Sequence, residues 1–409
     1  MAYWFIGLFI LSVLVRSVFL VGVTGVDRPL QGDEPEYHAV SVLFTNGDGW
    51  GNDGEKSKRS PLISFLSSGL YSLVGVHTSA SRWMLVFFSS LTSPLIFIVI
   101  NKISKRCDVA ILAAVIWALY PPSIWYAGLI TTETMSSLLV LGSLAAFLWG
   151  GSDKNRLPVL ITGLMFGLLS LNRSVYIFLP IALMIVQIVL SRTITLEWSW
   201  SPRRWALCLV AFGITMAPWT IRNYVEHGVF MPHTTQSGML LLITNGTLSN
   251  QYIASGMYYK NPELIARINE GSDSEVGRDR IARDIAIDEI KNNWHLLPRA
   301  VVNRAKNFWT PRPDPYNSEW TINDLIMIMI WGPTLVFFFS SSMVRSWGKY
   351  WPVLVIIGYA FLMTLPFWGT PRFRFPVDAL ILTGAVIGFL EVLSLVVPSV
   401  ASRIQKNLR

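Results

Sequence analysis

The sequence predicts an all-α, polytopic membrane protein with about ten transmembrane helices. Three observations support this prediction. Hydrophobic residues make up 52% of the 409-residue chain, whereas only 14% of the residues are charged. The chain also contains 17 Trp and 22 Phe, and its mean hydropathy is +0.46. Because soluble domains carry about 25% charged residues, a chain of this composition is expected to lie in a bilayer.

Ten apolar stretches are long enough to cross a hydrocarbon core of about 30 Å. They cover 4–22, 82–100, 109–126, 132–150, 157–172, 174–191, 205–221, 321–341, 351–367 and 376–397. The segments 34–45 and 61–76 lie between the first two spans, and we expect them to form helices on the membrane surface. The first stretch lacks the cleavage site of a signal peptide, so we expect it to remain as an anchor.

The distribution of charge predicts the orientation. Thirteen Lys and Arg but only three acidic residues lie in five hydrophilic segments: 101–108, 151–156, 192–204, 342–350 and the tail from 398. The positive-inside rule makes these segments, and therefore both termini, cytoplasmic. Alternation places the remaining segments on the opposite face: 23–81, 127–131, the turn at Arg173, 222–320 and 368–375. The net charge of +8 therefore reflects topology and gives no indication of nucleic acid binding.

Three parts of the chain are expected. Residues 1–221 form a transmembrane catalytic module with the first outer loop 23–81, and residues 321–409 form the C-terminal transmembrane helices. Between them, 222–320 contains eleven basic and eleven acidic residues and forms a small extracytoplasmic segment. Apolar residues at helical spacing within 275–308 predict one or two amphipathic helices there.

An acidic cluster follows the first span, in the sequence Gly32-Asp33-Glu34-Pro35-Glu36-Tyr37-His38. Crowded carboxylates repel one another and lose hydration at a membrane boundary, so such a cluster indicates chemistry. Cationic side chains are predicted on the same face. This combination suits a reaction in which a carboxylate takes a proton from a nucleophile while cations hold a departing lipid phosphate.

Short motifs occur along the chain in a definite order: Asp33-Glu34-x-x-Tyr37, Arg59-x-Pro61-Leu62, Ala80-x-Arg82, Tyr126-Ala127-Gly128, Thr132-Glu133, Arg222-Asn223-Tyr224 and Arg372-Phe373-Arg374-Phe375-Pro376. In this succession the sequence resembles the GT-C superfamily of integral membrane glycosyltransferases. The resemblance is to the branch of protein O-mannosyltransferases and the lipid A aminoarabinose transferase. It runs through most of the chain and is weakest within 240–320.

The resemblance implies a glycosyltransferase that moves a sugar from a polyprenyl-phosphate donor to a glycan, lipid or protein acceptor. It implies single displacement at the extracytoplasmic face of a cell membrane, with a bacterial inner membrane expected. Asp33 is the expected base, and Glu133 and Glu34 are further catalytic candidates. The candidates for binding the donor phosphate are Lys58, Arg59, Arg372, Arg374 and Arg16. The candidates for binding acceptor or substrate are Tyr37, His38, Arg222 and Asn223.

Other interpretations remain open at this point. Asp33 could instead cap the first surface helix, and the arginines could be interfacial cations that contact lipid head groups. A flippase for lipid-linked sugars, or a transferase of another lipid-phosphate-linked group, is the alternative function. No cofactor is expected, because the histidines lack ligand spacing, and a divalent metal is not indicated. Gly163-x-x-x-Gly167 predicts close packing of two spans.

Overall fold

The computed structural model describes residues 2–51, 54–152, 155–245, 262–315 and 319–397. These residues form helices and connecting loops without a β-strand, so the all-α prediction is confirmed. The basic tail from residue 398 lies outside the described residues, as does part of the predicted segment 222–320.

Eighteen α-helices occur within the described residues. Their bounds are α1 Ala2–Phe19, α2 Glu34–Asn46, α3 Pro61–Val74, α4 Thr78–Ser104, α5 Cys107–Leu119, α6 Pro121–Ala127, α7 Glu133–Ser152, α8 Leu157–Asn172, α9 Leu179–Leu190, α10 Pro202–His227, α11 Ser237–Asn245, α12 Pro262–Glu270, α13 Glu275–Asn292, α14 Leu297–Trp309, α15 Ile322–Ser340, α16 Ser342–Arg345, α17 Trp347–Thr364 and α18 Pro371–Val396. A π-helical turn, Leu20–Thr24, extends α1.

A multi-pass membrane protein is confirmed, but the count of ten spans is not. Six described helical segments are long and apolar enough to cross a bilayer, or seven if a bent pair is counted as one span. They are Ala2–Thr24, Thr78–Ser104, Glu133–Gly151, Pro202–His227, Ile322–Arg345 and Pro371–Val396. The other three predicted spans fall on α8, α9 and α17, which are shorter or less apolar.

The predicted span 109–126 is not one continuous helix. It divides into α5 and α6, which meet at an angle of 55° beside Pro121 and Pro122. A proline provides no N–H for the carbonyl four residues earlier, so the pair leaves the carbonyls of Trp117 and Ala118 without their helical donors. The Ser123 hydroxyl donates to the Trp117 oxygen at 2.7 Å. Arg16 of α1 donates to the Ala118 oxygen at 3.3 Å. The break is therefore stable within the apolar interior.

The two predicted surface helices are present as α2 and α3, which pack against each other. Of the predicted amphipathic pair within 275–308, α13 packs on α11, while α14 contacts α17 and α18. Buried Arg304 of α14 donates to the carbonyl oxygen of Leu365 at 2.9 Å. The polar segment is therefore attached to the membrane helices through α14.

The loops predicted to share a face contact one another. At one end of the helices, Glu34 accepts from the Ile130 amide and Arg173 pairs with Glu133. At the other end, the Glu197 amide donates to Gly348, and Lys349 donates to Ser104. The first end contains the acidic cluster, and the side of the membrane that it faces stays a prediction.

Gly163 and Gly167 lie where α8 packs against α10. A Cβ atom added at Gly163 would lie 2.2 Å from the Cys208 carbonyl oxygen, and one at Gly167 would lie 2.5 Å from the Thr215 Cβ. The obstacle at Gly163 is backbone, which cannot move aside as a side chain can. The predicted close packing of two helices at this motif is therefore observed.

We expect Gly163→Ala to lower the thermal stability of the purified protein, at a cost of about 1–3 kcal/mol for overpacking. Gly213→Ala is the matched control, because Gly213 lies on α10 with nothing within 4 Å of an added Cβ. Thermal unfolding in one detergent compares the two variants. Equal midpoints for both variants would show that the α8–α10 contact does not require glycine.

Candidate active site

The loop that precedes α2 is fixed by a buried carboxylate. Glu34 is fully buried and accepts hydrogen bonds from Nη1 and Nη2 of Arg28, at 2.8 and 2.9 Å. Its oxygens also accept the backbone amides of Gln31 and Ile130, each at 2.9 Å. Arg82 of α4 donates to two carbonyl oxygens of the same loop. Glu34 therefore ties the first loop to the turn before α7.

Asp33 occupies the N-cap position of α2, yet its side chain makes no capping hydrogen bond. Its two oxygens accept from two guanidinium groups instead: Arg59 donates at 3.0 Å and Arg372 at 2.6 Å. The side chain remains 24% exposed. Of the two interpretations that the sequence left open, the structure therefore disfavours capping and places Asp33 among cations.

Arg59 joins Asp33 to Glu36, a carboxylate that was not among the residues predicted for the site. Its Nε donates to Glu36 at 2.6 Å, and its guanidinium lies over the Tyr37 ring, 5.8 Å from the centroid. Glu36 follows Asp33 by three residues, a spacing that places both on one face of a helix. That spacing was the available signal for including Glu36.

Glu133, at the start of α7, is fully buried and pairs with two arginines. Arg372 donates to its Oε1 at 2.5 Å, and Arg173 at 3.1 Å. Arg173 in turn lies over the Phe373 ring, 4.9 Å from the centroid. Arg173 was also missing from the candidates, although the turn that contains it was predicted on the same face as Glu133. We call these six side chains the ion-pair cluster: Asp33, Glu36, Glu133, Arg59, Arg173 and Arg372.

The cations of the cluster keep the Asp33 carboxylate charged. Burial raises the pKa of Asp33, but the opposite charges of Arg372 and Arg59 outweigh it, and its pKa lies below the ordinary value. Burial likewise opposes ionisation of Glu36, whose pKa is lowered by the hydrogen bond and the charge of Arg59. Both carboxylates are therefore ionised at neutral pH and able to accept a proton or a hydrogen bond.

Arg16 and Arg374 lie outside the cluster. Arg16 is 1% exposed and donates to the Ser89 hydroxyl at 2.7 Å, to the Ser123 hydroxyl at 3.2 Å and to backbone carbonyls. The sequence resemblance had suggested the donor phosphate as its partner, whereas in the structure Arg16 bonds hydroxyls and carbonyls. Arg374, also 1% exposed, pairs with Asp378 at 2.9 Å and stacks over Trp331. Both arginines have their donors engaged inside the helical core.

The remaining candidates surround the cluster. Lys58 pairs with Glu55 at 2.6 Å and lies 3.8 Å from Glu36. His38 is hydrogen-bonded to the Tyr71 hydroxyl at 2.9 Å and does not reach the cluster.

Arg222 and Asn223 meet at the loop before α3, where both bond the Ser57 hydroxyl, at 2.6 and 2.9 Å. Buried Asn223 also donates to two carbonyl oxygens, and Arg222 donates to the carbonyl oxygen of Trp50.

An apolar groove adjoins the cluster at Arg173 and Phe373. Aromatic and aliphatic side chains from α17 and the segment after it form most of its lining, among them Tyr359, Met363, Phe367 and Trp368. A charged cluster at one end of an apolar groove suits a ligand with an anionic head and a hydrocarbon tail. Among the described residues, no three His, Cys, Asp or Glu side chains converge as metal ligands.

Comparison with solved structures defines the class of fold. Two structures of the oligosaccharyltransferase AglB from Archaeoglobus fulgidus superpose with TM-scores of 0.58 and 0.59 at 12% and 15% identity. One was solved with an inhibitory peptide and a dolichol-phosphate, the other with a tethered acceptor peptide. The match covers 96% of this chain, which spans about half the length of AglB. The described chain has the GT-C fold, so the resemblance seen in the sequence is confirmed at the level of the fold.

ArnT from Cupriavidus metallidurans, solved with undecaprenyl phosphate, is a further neighbour, with 16% identity and a TM-score of 0.45. That match covers 95% of this chain and 77% of ArnT. No protein-family model matches the sequence, and no curated protein matches it.

Proposed function

We propose that this protein is a membrane glycosyltransferase that moves a sugar from a polyprenyl-phosphate donor to an acceptor at the extracytoplasmic face. One observation carries the proposal: the ionised Asp33 carboxylate lies between Arg59 and Arg372, beside the apolar groove that begins at Arg173 and Phe373. An ionised carboxylate, two cations and an apolar groove that lie side by side support a reaction at a lipid-linked phosphate.

Asp33 is the better base of the two cluster acids that contact Arg372. Each of the two carboxylates is held by two guanidinium groups, but that of Asp33 is partly exposed, whereas that of Glu133 is fully buried. In the proposed reaction the acceptor hydroxyl oxygen attacks the anomeric carbon of the donor, and Asp33 takes the hydroxyl proton. The bond from that carbon to the phosphate oxygen breaks, and its electron pair leaves with the polyprenyl phosphate. Such a single displacement inverts the anomeric configuration.

Arg372 is suited to hold the departing phosphate. Its side chain is 41% exposed, and its guanidinium already binds two carboxylates. The same N–H groups can bind the oxygens of a phosphate. A phosphate that takes over the bond to Asp33 would free one carboxylate oxygen for the acceptor. Glu133 and Arg173 act through Arg372 in this scheme, because the buried Glu133 carboxylate fixes the position of the guanidinium.

The comparison with AglB supports a lipid phosphate as a binding partner. AglB shares the fold and was solved with a dolichol-phosphate, a lipid whose anionic head and isoprenoid tail match the cluster and the groove. The charge distribution of the loops supports an extracytoplasmic site with both termini in the cytoplasm. The resemblance of the sequence implies a bacterial inner membrane.

The first test replaces the proposed base. Asp33→Asn keeps the shape of the side chain but removes its basicity, so we expect transfer to fall about 10²- to 10⁴-fold while donor binding persists. Transfer and donor binding are measured on purified protein in nanodiscs. Asp27→Asn is the control, because Asp27 is an exposed acid of the same loop outside the cluster. Retention of more than about a tenth of parental turnover would remove Asp33 as the base.

The second test concerns the phosphate. We expect Arg372→Ala to weaken binding of a short-chain polyprenyl phosphate about ten- to a hundredfold, and Arg372→Lys to restore it only in part, because lysine keeps the charge but loses the planar fork. Arg280→Ala, at an exposed arginine, is the control. Arg374→Ala should instead reduce yield and thermal stability, because that guanidinium is buried. Parental affinity in Arg372→Ala would contradict the assignment.

The third test concerns orientation. In a Cys107→Ser background, cysteines introduced at Asp48 or Asp273 should react with an impermeant maleimide applied to intact cells. Cysteines at Ser199 or Ser346 should react only after the membrane is permeabilised. All four positions are exposed, and the remaining Cys208 is buried. The opposite labelling pattern would place the cluster in the cytoplasm and redirect the search toward nucleotide-sugar donors.

A further inference from the structure

A cleft lies next to the ion-pair cluster and shares Arg59 and Glu36 with it. Trp50, Val40, Glu55 and Lys58 contribute to its lining. Because Arg59 bonds both Glu36 in this cleft and Asp33 in the cluster, a molecule in the cleft lies one guanidinium away from the proposed base. None of the steps proposed above uses Trp50 or Glu55.

Trp50 is held in place from several sides. Its ring makes edge contacts with Phe44 and Trp219, each at 5.3 Å between centroids. Its carbonyl oxygen accepts a hydrogen bond from Arg222 at 3.2 Å. Gly51 follows with φ of 134°, and a Cβ there would lie 2.8 Å from the Lys56 Cα. The loop is therefore shaped so that a large aromatic ring stays at the wall of the cleft.

The charges that line the cleft neutralise one another. Glu36 forms an ion pair with Arg59, and Glu55 forms one with Lys58, each at 2.6 Å. Lys56 also lines the cleft and pairs at 2.6 Å with Glu226, which lies outside the lining. Each of these paired side chains in the lining remains about a quarter to a half exposed. An anionic ligand would have to displace the acids from their partners. A neutral ligand with many hydroxyls can donate to the carboxylates and accept from the cations without breaking these pairs.

A sugar ring combines such hydroxyls with a face of C–H groups, which packs against the electron-rich face of an indole. We infer that this cleft binds a saccharide unit of the acceptor, with Trp50 as its stacking platform. The inference rests on the proposed function and narrows it, since it selects a glycan-bearing acceptor over an unglycosylated peptide. Glu36, Glu55 and Lys58 then serve the acceptor hydroxyls, and Arg59 joins acceptor and base.

The test captures the occupant in living cells of the source organism. The photoreactive residue p-benzoylphenylalanine replaces Lys56, which lines the cleft and is half exposed, or Trp294, a control position that is 69% exposed. After irradiation the full-length protein is purified, and mass spectrometry assigns each adduct to a saccharide, a peptide or a phospholipid. We expect saccharide-bearing adducts at position 56 and none at position 294.

Two further variants identify the source of the sugar. Trp50→Ala should reduce the saccharide adduct about tenfold, and Trp50→Phe should retain most of it, because phenylalanine keeps an aromatic face. The adduct should persist in Arg372→Ala, which weakens donor binding, if the sugar belongs to the acceptor. The inference would be overturned if the adducts were peptides or only phospholipids, or if no adduct formed. It would also be overturned if the saccharide adduct were lost in Arg372→Ala or were unaffected by Trp50→Ala.

This outcome is independent of the test of the base. Capture of a saccharide together with full activity of Asp33→Asn would support the saccharide site and contradict the proposed mechanism. Capture of a peptide together with an inactive Asp33→Asn would keep the mechanism and remove the cleft as a saccharide site.

Discussion

A buried carboxylate requires a cation, and Glu133 meets this requirement with two. It is fully buried at the start of α7, and it forms ion pairs with Arg173, which follows α8, and with Arg372 at the start of α18. Arg372 extends the chain of charges to Asp33. Removing one partner of a buried pair costs roughly 3–5 kcal/mol, since the other charge is left unpaired. The same ion pairs therefore join three helices and arrange the proposed chemistry.

The helical architecture and the main members of the cluster follow from one-dimensional features of the sequence. Apolar length predicted the helices, and the charge of the loops grouped Asp33, Arg59, Glu133 and Arg372 on one face. The structure brings these four side chains together. That grouping depends only on which loops lie at the same end of the helices, so it did not require exact helix bounds.

The direction in which each side chain points was not predictable in the same way. Neighbouring residues on a helix point about 100° apart, so Asp33 faces the cluster while Glu34 faces Arg28 and the turn at Ile130. Arg372 and Arg374 differ for the same reason. The break at Pro121 depends on donors from residues distant in sequence, because Arg16 of α1 compensates a carbonyl that the prolines leave free. Local pattern cannot reveal such a partner.

Arg16 has a consequence for the biogenesis of the chain. Its hydroxyl partners lie 73 and 107 residues further along the sequence, so they are synthesised long after α1 leaves the ribosome. Until then α1 itself offers Arg16 the Ser12 carbonyl as a partner. Arg16 lies in the last turn of α1, where a charge costs less than the roughly 2.5–3.5 kcal/mol of a helix centre. The contacts that bury this guanidinium in the folded protein therefore form only after the segment up to Ser123 has been synthesised.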